Sequence, residues 1–126
     1  MNNILAILLN GIAQLEYDRN KLLPPQQELY LDKMDKQMDE GIQLDNTSIT
    51  NPDLNQRAQF VAGNLAHAIL NDQEAAAAAL CSYLAVRLPD LKQVKIIQNT
   101  DNDSGEISIE LVFDEEYQKQ IMVQLH

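Results

Sequence analysis

The sequence predicts a single α+β domain over residues 1–126: an N-terminal four-helix layer around a central Ala-rich helix (about 72–88), then a small C-terminal antiparallel β-meander of two or three strands. Three observations carry that expectation. The stretch from Asp72 to Leu88, DQEAAAAALCSYLAVRL, has almost no polar face when wound as a helix, and a helix that is apolar most of the way round is normally buried. After Asp90 the apolar period falls from helical spacing to strict alternation, the mark of half-buried strands. At 126 residues the chain has the usual length of one domain, and two separate cores would be crowded.

The first helix is expected from about Asn3 to Tyr17, because Ile4, Leu5, Leu8, Ile12 and Leu15 recur at steps of three and four. Asp18, Arg19 and Asn20 break that pattern. A second helix follows from Pro25 to Glu40, opened by the proline pair and stopped by Gly41 at its C′ position. Its apolar stripe is Leu31, Met34 and Met38, with Tyr30 beside it. Glu28, Asp32, Asp35 and Asp39 form an acidic stripe on a neighbouring face, where Lys36 has Asp32 and Glu40 four residues away.

Residues 42–50 read as a connecting loop anchored by Leu44 and Ile49. Asn51, Pro52 and Asp53 supply an N-cap, a proline at N1 and an acid in the first turn, so a third helix should run to Leu70. One broad arc of it is apolar, through Ala58, Val61, Ala62, Leu65, Ala66, Ala68 and Ile69. Arg57, Phe60, Gly63, Asn64 and His67 make the other side. The central helix follows, ended by Pro89.

Val94 and Ile96 then alternate with Lys95 and Ile97, and Ile107, Ile109, Leu111 and Phe113 with Glu106, Ser108, Glu110 and Val112. The turn formers between them, residues 99–105, make the pair a hairpin. Ile121, Val123 and Leu125 are read as a third strand over residues 117–125, with an amphipathic helix as the alternative. From Val94 onward there are seven acids against Lys95 and Lys119, so the outer face of the sheet should be negative.

Composition narrows the function. Hydrophobic residues are 45% of the chain and aromatics 5%, and 19 acids against 9 bases leave a net charge of −10. That balance argues against binding a phosphate backbone or an anionic membrane, both of which need clustered Lys and Arg. With Cys81 as the single cysteine, no intrachain disulfide forms and nothing points to an oxidising compartment. The N-terminal apolar run has no basic residue before it and acids soon after, unlike a signal peptide. A cytoplasmic location is expected.

No motif reaches a chemical assignment. The four glycines are scattered, so there is no phosphate-cradling loop. GxSxG, HExxH and SxxK are missing from the sequence. The acidic stripe has the oxygen donors a hard divalent cation takes, although alternating charge with Lys33 and Lys36 is the usual pattern of a solvated helix face. The run from Asp101 to Glu106 places glycine one position early for a calcium loop, with no acid at position twelve. Cys81 lies among Ala and Leu, away from any helix start, and reads as a packed, inert thiol. No cofactor is expected, and one cysteine with two histidines is short of a zinc set.

What stands out is a mixed aromatic, polar and cationic surface at Arg57, Phe60, Asn64 and His67, the composition favoured where proteins meet. The reading is therefore a small acidic homo-oligomeric binding or adaptor protein without catalysis. Its contacts are assigned to the third helix and the open edge of the sheet, and a homodimer covers the apolar surface left over. A cation-responsive module on the acidic stripe is the first alternative. An enzyme with a site at the subunit boundary around His67, Arg57 and Asn64 is the second.

Overall fold

The computed structural model describes residues 3–21, 23–44, 46–98 and 106–117. In chain order these form β1 (Ile4–Leu9), β2 (Ile12–Asp18), α1 (Pro25–Asp39), β3 (Ile42–Leu44), β4 (Thr47–Ile49), α2 (Leu54–Leu70), α3 (Glu74–Arg87), β5 (Gln93–Gln98) and β6 (Ile107–Val112). The main sheet has the order β2-β1-β5-β6, with β1 and β5 parallel and the other pairs antiparallel. A small separate hairpin joins β3 to β4. The α+β class holds, but the expected four-helix N-terminal layer does not: the described residues form three helices, and their first two strands pair as a β-hairpin.

The physical reason lies at Asn10-Gly11. Ile4, Leu5, Leu8, Ile12 and Leu15 satisfy helical steps, yet both residues of this dipeptide have left-handed φ, 49° and 84°. Two such residues in a row make the tight turn whose twist matches a hairpin. β1 then pairs on both sides, and a strand buried on both faces shows an unbroken apolar run instead of alternation. Leu5, Ala6, Ile7 and Leu8 are all buried. β2 lies at the sheet edge and does alternate, with Gln14 and Glu16 exposed and Leu15 and Tyr17 turned inward. Gln14 is the extra residue of a bulge, since Ile7 pairs with Leu15 but Leu8 with Ala13.

Two smaller corrections follow the same chemistry. In place of the loop expected over residues 42–50, Ile42–Leu44 and Thr47–Ile49 pair as a short antiparallel hairpin, with Asn46 between them at φ 65°. The helix after Pro52 is capped by Asp53, not Asn51. The Asp53 carboxylate accepts the Gln56 backbone N–H, and the Gln56 side chain accepts the Asp53 N–H, a reciprocal capping box. The stop at Gly41 is as expected: it follows the helix with φ 137°.

One face of the sheet carries the core. Across the strands it presents Tyr17 and Leu15, then Leu5, Ile7 and Leu9, then Val94 and Ile96, then Ile107, Ile109 and Leu111. Against it lie Val61, Leu65 and their alanine neighbours on α2, with Ala77, Cys81, Leu84 and Ala85 on α3. On the other face, Ala6, Gln93 and Val112 form a buried row across three strands. Here the chain beyond β6 folds back, and the Gln93 amide donates to the Glu115 carbonyl at 2.8 Å.

The apolar helix is only half wrapped. From Cys81 to Ala85 α3 is buried, while Ala75, Ala76 and Ala78 in its first turns are exposed. Ala79 and Val86 are half-buried. The expected β5–β6 hairpin is present. Its turn at residues 99–105, and the third strand read through Ile121, Val123 and Leu125, lie outside the described residues. Among the described residues no helix is long and apolar enough to cross a membrane.

Candidate functional site

The acidic stripe of α1 faces its own arginines. Arg57 on α2 places Nη1 3.2 Å from the Asp35 Oδ1, and its Nη2 pairs with Asp39. Arg87 on α3 donates from Nε to Asp35 Oδ2 and from Nη2 to Asp32 Oδ1, both at 2.9 Å. The Tyr83 hydroxyl, on a side chain buried in the core, donates to Asp35 Oδ1 at 2.5 Å. Arg57 also donates to the Pro52 carbonyl at 2.9 Å and the Asp35 carbonyl at 3.1 Å. Burial alone would raise the Asp35 carboxyl, but the hydrogen bonds from Tyr83 and Arg87 outweigh it and hold it below its ordinary range. Burial and the Asp35 carboxylate together push the Tyr83 phenol upward.

Three of the four stripe carboxylates are thus taken up by cations of the protein, and Glu28 stands apart from the network. All ion pairs among the described residues use Arg57 or Arg87; Lys36 makes none. Among the described residues no group of three His, Cys, Asp or Glu is placed to hold a metal ion. What the arrangement does is tie three helices together.

The predicted contact surface is divided. Arg57 turns to α1, while Phe60, Asn64 and His67 line a cleft of about 800 Å³ between α2 and β6. Ile107, Ile109 and Leu111 form its apolar floor, and Gln43 and Leu44 of β3 line it from the small hairpin. Gly63 is a notch in the helical wall, for a Cβ built there meets nothing within 4 Å. Glu110 is the one carboxylate among the described lining residues, and none of them is Ser, Cys, Lys or Arg. The constellation His67, Arg57 and Asn64 is therefore not assembled: the guanidinium is committed elsewhere, and the other two face the cleft.

β6 is also an edge of the sheet. Its one partner among the described residues is β5, so none of the described residues joins a ladder to the alternate backbone N–H and C=O groups along its outer side. A strand edge unpaired among the described residues and a cleft of mixed polar and apolar lining, floored by that same strand, lie side by side.

Cys81 behaves as the sequence implies. It is buried, and desolvation pushes the thiol up to about 12 despite the nearby Arg19 guanidinium. Arg19 itself was not legible as anything but a break. It follows β2 and donates to the Ala85, Leu88 and Leu91 carbonyls at 3.1, 3.1 and 2.6 Å, closing the end of α3, where carbonyls lack partners within the helix. Nothing local in the sequence pairs a residue with carbonyls some seventy positions away.

No family model, curated protein or solved structure is significantly similar to this chain.

Proposed function

We propose that this protein is a non-catalytic docking module whose α2–β6 cleft receives an extended segment of a partner protein, added as a strand to the edge of β6. The supporting observation is the juxtaposition of a strand edge unpaired among the described residues with a groove floored by the same strand's Ile107, Ile109 and Leu111. Strand addition needs both parts: the backbone ladder supplies affinity, and pockets for alternate side chains supply selection. Phe60 sits at the wall as an aromatic anchor, with Asn64 and His67 as polar neighbours.

A photocrosslinking residue at Asn64 tests this reading in native extract, with a second one at Lys36 as the distant control. Partner adducts should form from position 64, fail from position 36 and disappear when Phe60→Glu is added. Equal labelling from both positions would overturn it.

A second reading, self-association, is favoured by a separate surface. Leu29 and Tyr30 on α1 are 68% and 47% exposed. Beside them, Ala75, Ala78, Ala79 and Ser82 of α3 line a shallow groove with Gln26 and Gln27. A copy seated there would cover the part of α3 that its own chain leaves open, and the pair would be isologous.

A further inference from the structure

Resting on the docking reading, we infer the chemistry of the segment that the β6 edge accepts: an extended stretch alternating apolar residues with Lys or Arg. A strand laid along β6 continues the pleat of the sheet, so every second side chain falls on the face that carries Ile107, Ile109 and Leu111. That face looks into the cleft beneath α2, whose floor is apolar and whose walls carry Asn55, Gln59, Asn64 and His67. The intervening side chains fall on the opposite face with Ser108 and Glu110, and Glu110 also borders the cleft at this edge.

Charge decides what those intervening residues are. Glu106, Glu110, Asp114, Glu115 and Glu116 are all exposed on or next to β6, and none has an ion-pair partner among the described residues. Among the described residues Lys95 lies directly across the ladder from Glu110 on β5, and Lys92 precedes β5, so the other four carboxylates have no lysine opposite them in the β5–β6 register. Like charges across a strand pair are destabilising and opposite ones stabilising. A second copy of this chain would bring its own five carboxylates to the edge. A basic-apolar segment meets both the floor and the flank.

The test uses three nine-residue fluorescent peptides in which valine alternates with lysine, threonine or glutamate, titrated into the full chain at low salt. The Val/Lys peptide should bind about tenfold more tightly than Val/Thr, the worth of two or three exposed charge pairs, with Val/Glu weakest. Binding should slow hydrogen exchange at β6 amides. Gly63→Leu, which fills the notch without a backbone clash, should abolish it, and Glu106→Lys with Glu110→Lys should reverse the ranking. Equal binding of Val/Thr and Val/Lys, both lost in Gly63→Leu, would overturn the basic preference and leave docking intact. Val/Lys binding that ignores Gly63→Leu is diffuse charge attraction and overturns the inference. If no peptide binds, the inference and the docking reading fall together.

Discussion

Asp35 is where α1, α2 and α3 meet, because its two oxygens accept from Arg57, Tyr83 and Arg87 at once. Removing the charge leaves the Tyr83 hydroxyl and two guanidinium groups short of an acceptor. Hydrogen bonds to charged groups contribute about 1.5–3 kcal/mol each, less where solvent reaches them. Asp35→Asn should therefore cost about 2 kcal/mol at pH 7, read from urea melts. The pH dependence follows from the direction of the shift. A carboxyl held below its ordinary value in the folded state contributes its stabilisation in full above the unfolded value, near 3.9. It loses that contribution as pH falls through the lower folded value. The gap between wild type and Asp35→Asn should thus be constant from neutral pH down to about pH 5, then close below about pH 4. A gap that persists at pH 2 would mean the carboxylate is not the source. Cys81 yields a second residue-scale expectation. With the thiol buried and raised, alkylation by iodoacetamide should be negligible in the native state and rise with urea in step with unfolding.

At the scale of elements, the sequence and the structure part company where one pattern fits two periods. Ile4, Leu5, Leu8, Ile12 and Leu15 are compatible with a helix, and only Asn10-Gly11 between them tells otherwise. The alternation of β5 and β6 admitted one reading, as did the apolar arc of α2 and the stop at Gly41. The cleft-lining face of α2 was half legible. Helical spacing put Phe60, Asn64 and His67 on one face, but no spacing could show that Arg57 would reach Asp35 on a helix 22 positions earlier. The hairpin turn is testable: Gly11→Val forces a β-branched side chain into φ 84°, which should cost about 1–2 kcal/mol. Gly63 gives the opposite sign. It sits inside α2 with open space at its Cβ position, so Gly63→Ala should stabilise the fold by about 0.5–1 kcal/mol. A fall in Tm for that variant would show that the helix wall at the cleft is closer than described.

For the whole molecule, the feature least accessible to sequence reading is the parallel pairing of β1 with β5. It joins Ala6–Leu9 to Gln93–Ile96 across all three helices of the described residues. Because the sheet's N-terminal and C-terminal hairpins meet there, the core is closed only when both ends of the chain are in place. The two surfaces left open differ in charge logic, and salt should separate them. The β6 edge attracts a basic segment, and screening weakens that attraction. The α1–α3 groove offers Tyr30 and alanines, with exposed Leu29 elsewhere on α1, but each copy brings a net charge of −10. Like net charge opposes association, so screening strengthens it. Light scattering at tens of micromolar protein should therefore show the average mass rising toward twice the monomer as sodium chloride goes from about 20 to about 500 mM and the screening length shrinks to a few ångströms. Ala78→Glu, which places a charge in the groove without touching the core, should hold the protein at monomer mass throughout. A wild-type mass that stays monomeric at high salt would remove the self-association reading. One that is dimeric at low salt and falls with added salt would place the contact on an attractive charge surface instead of the apolar groove.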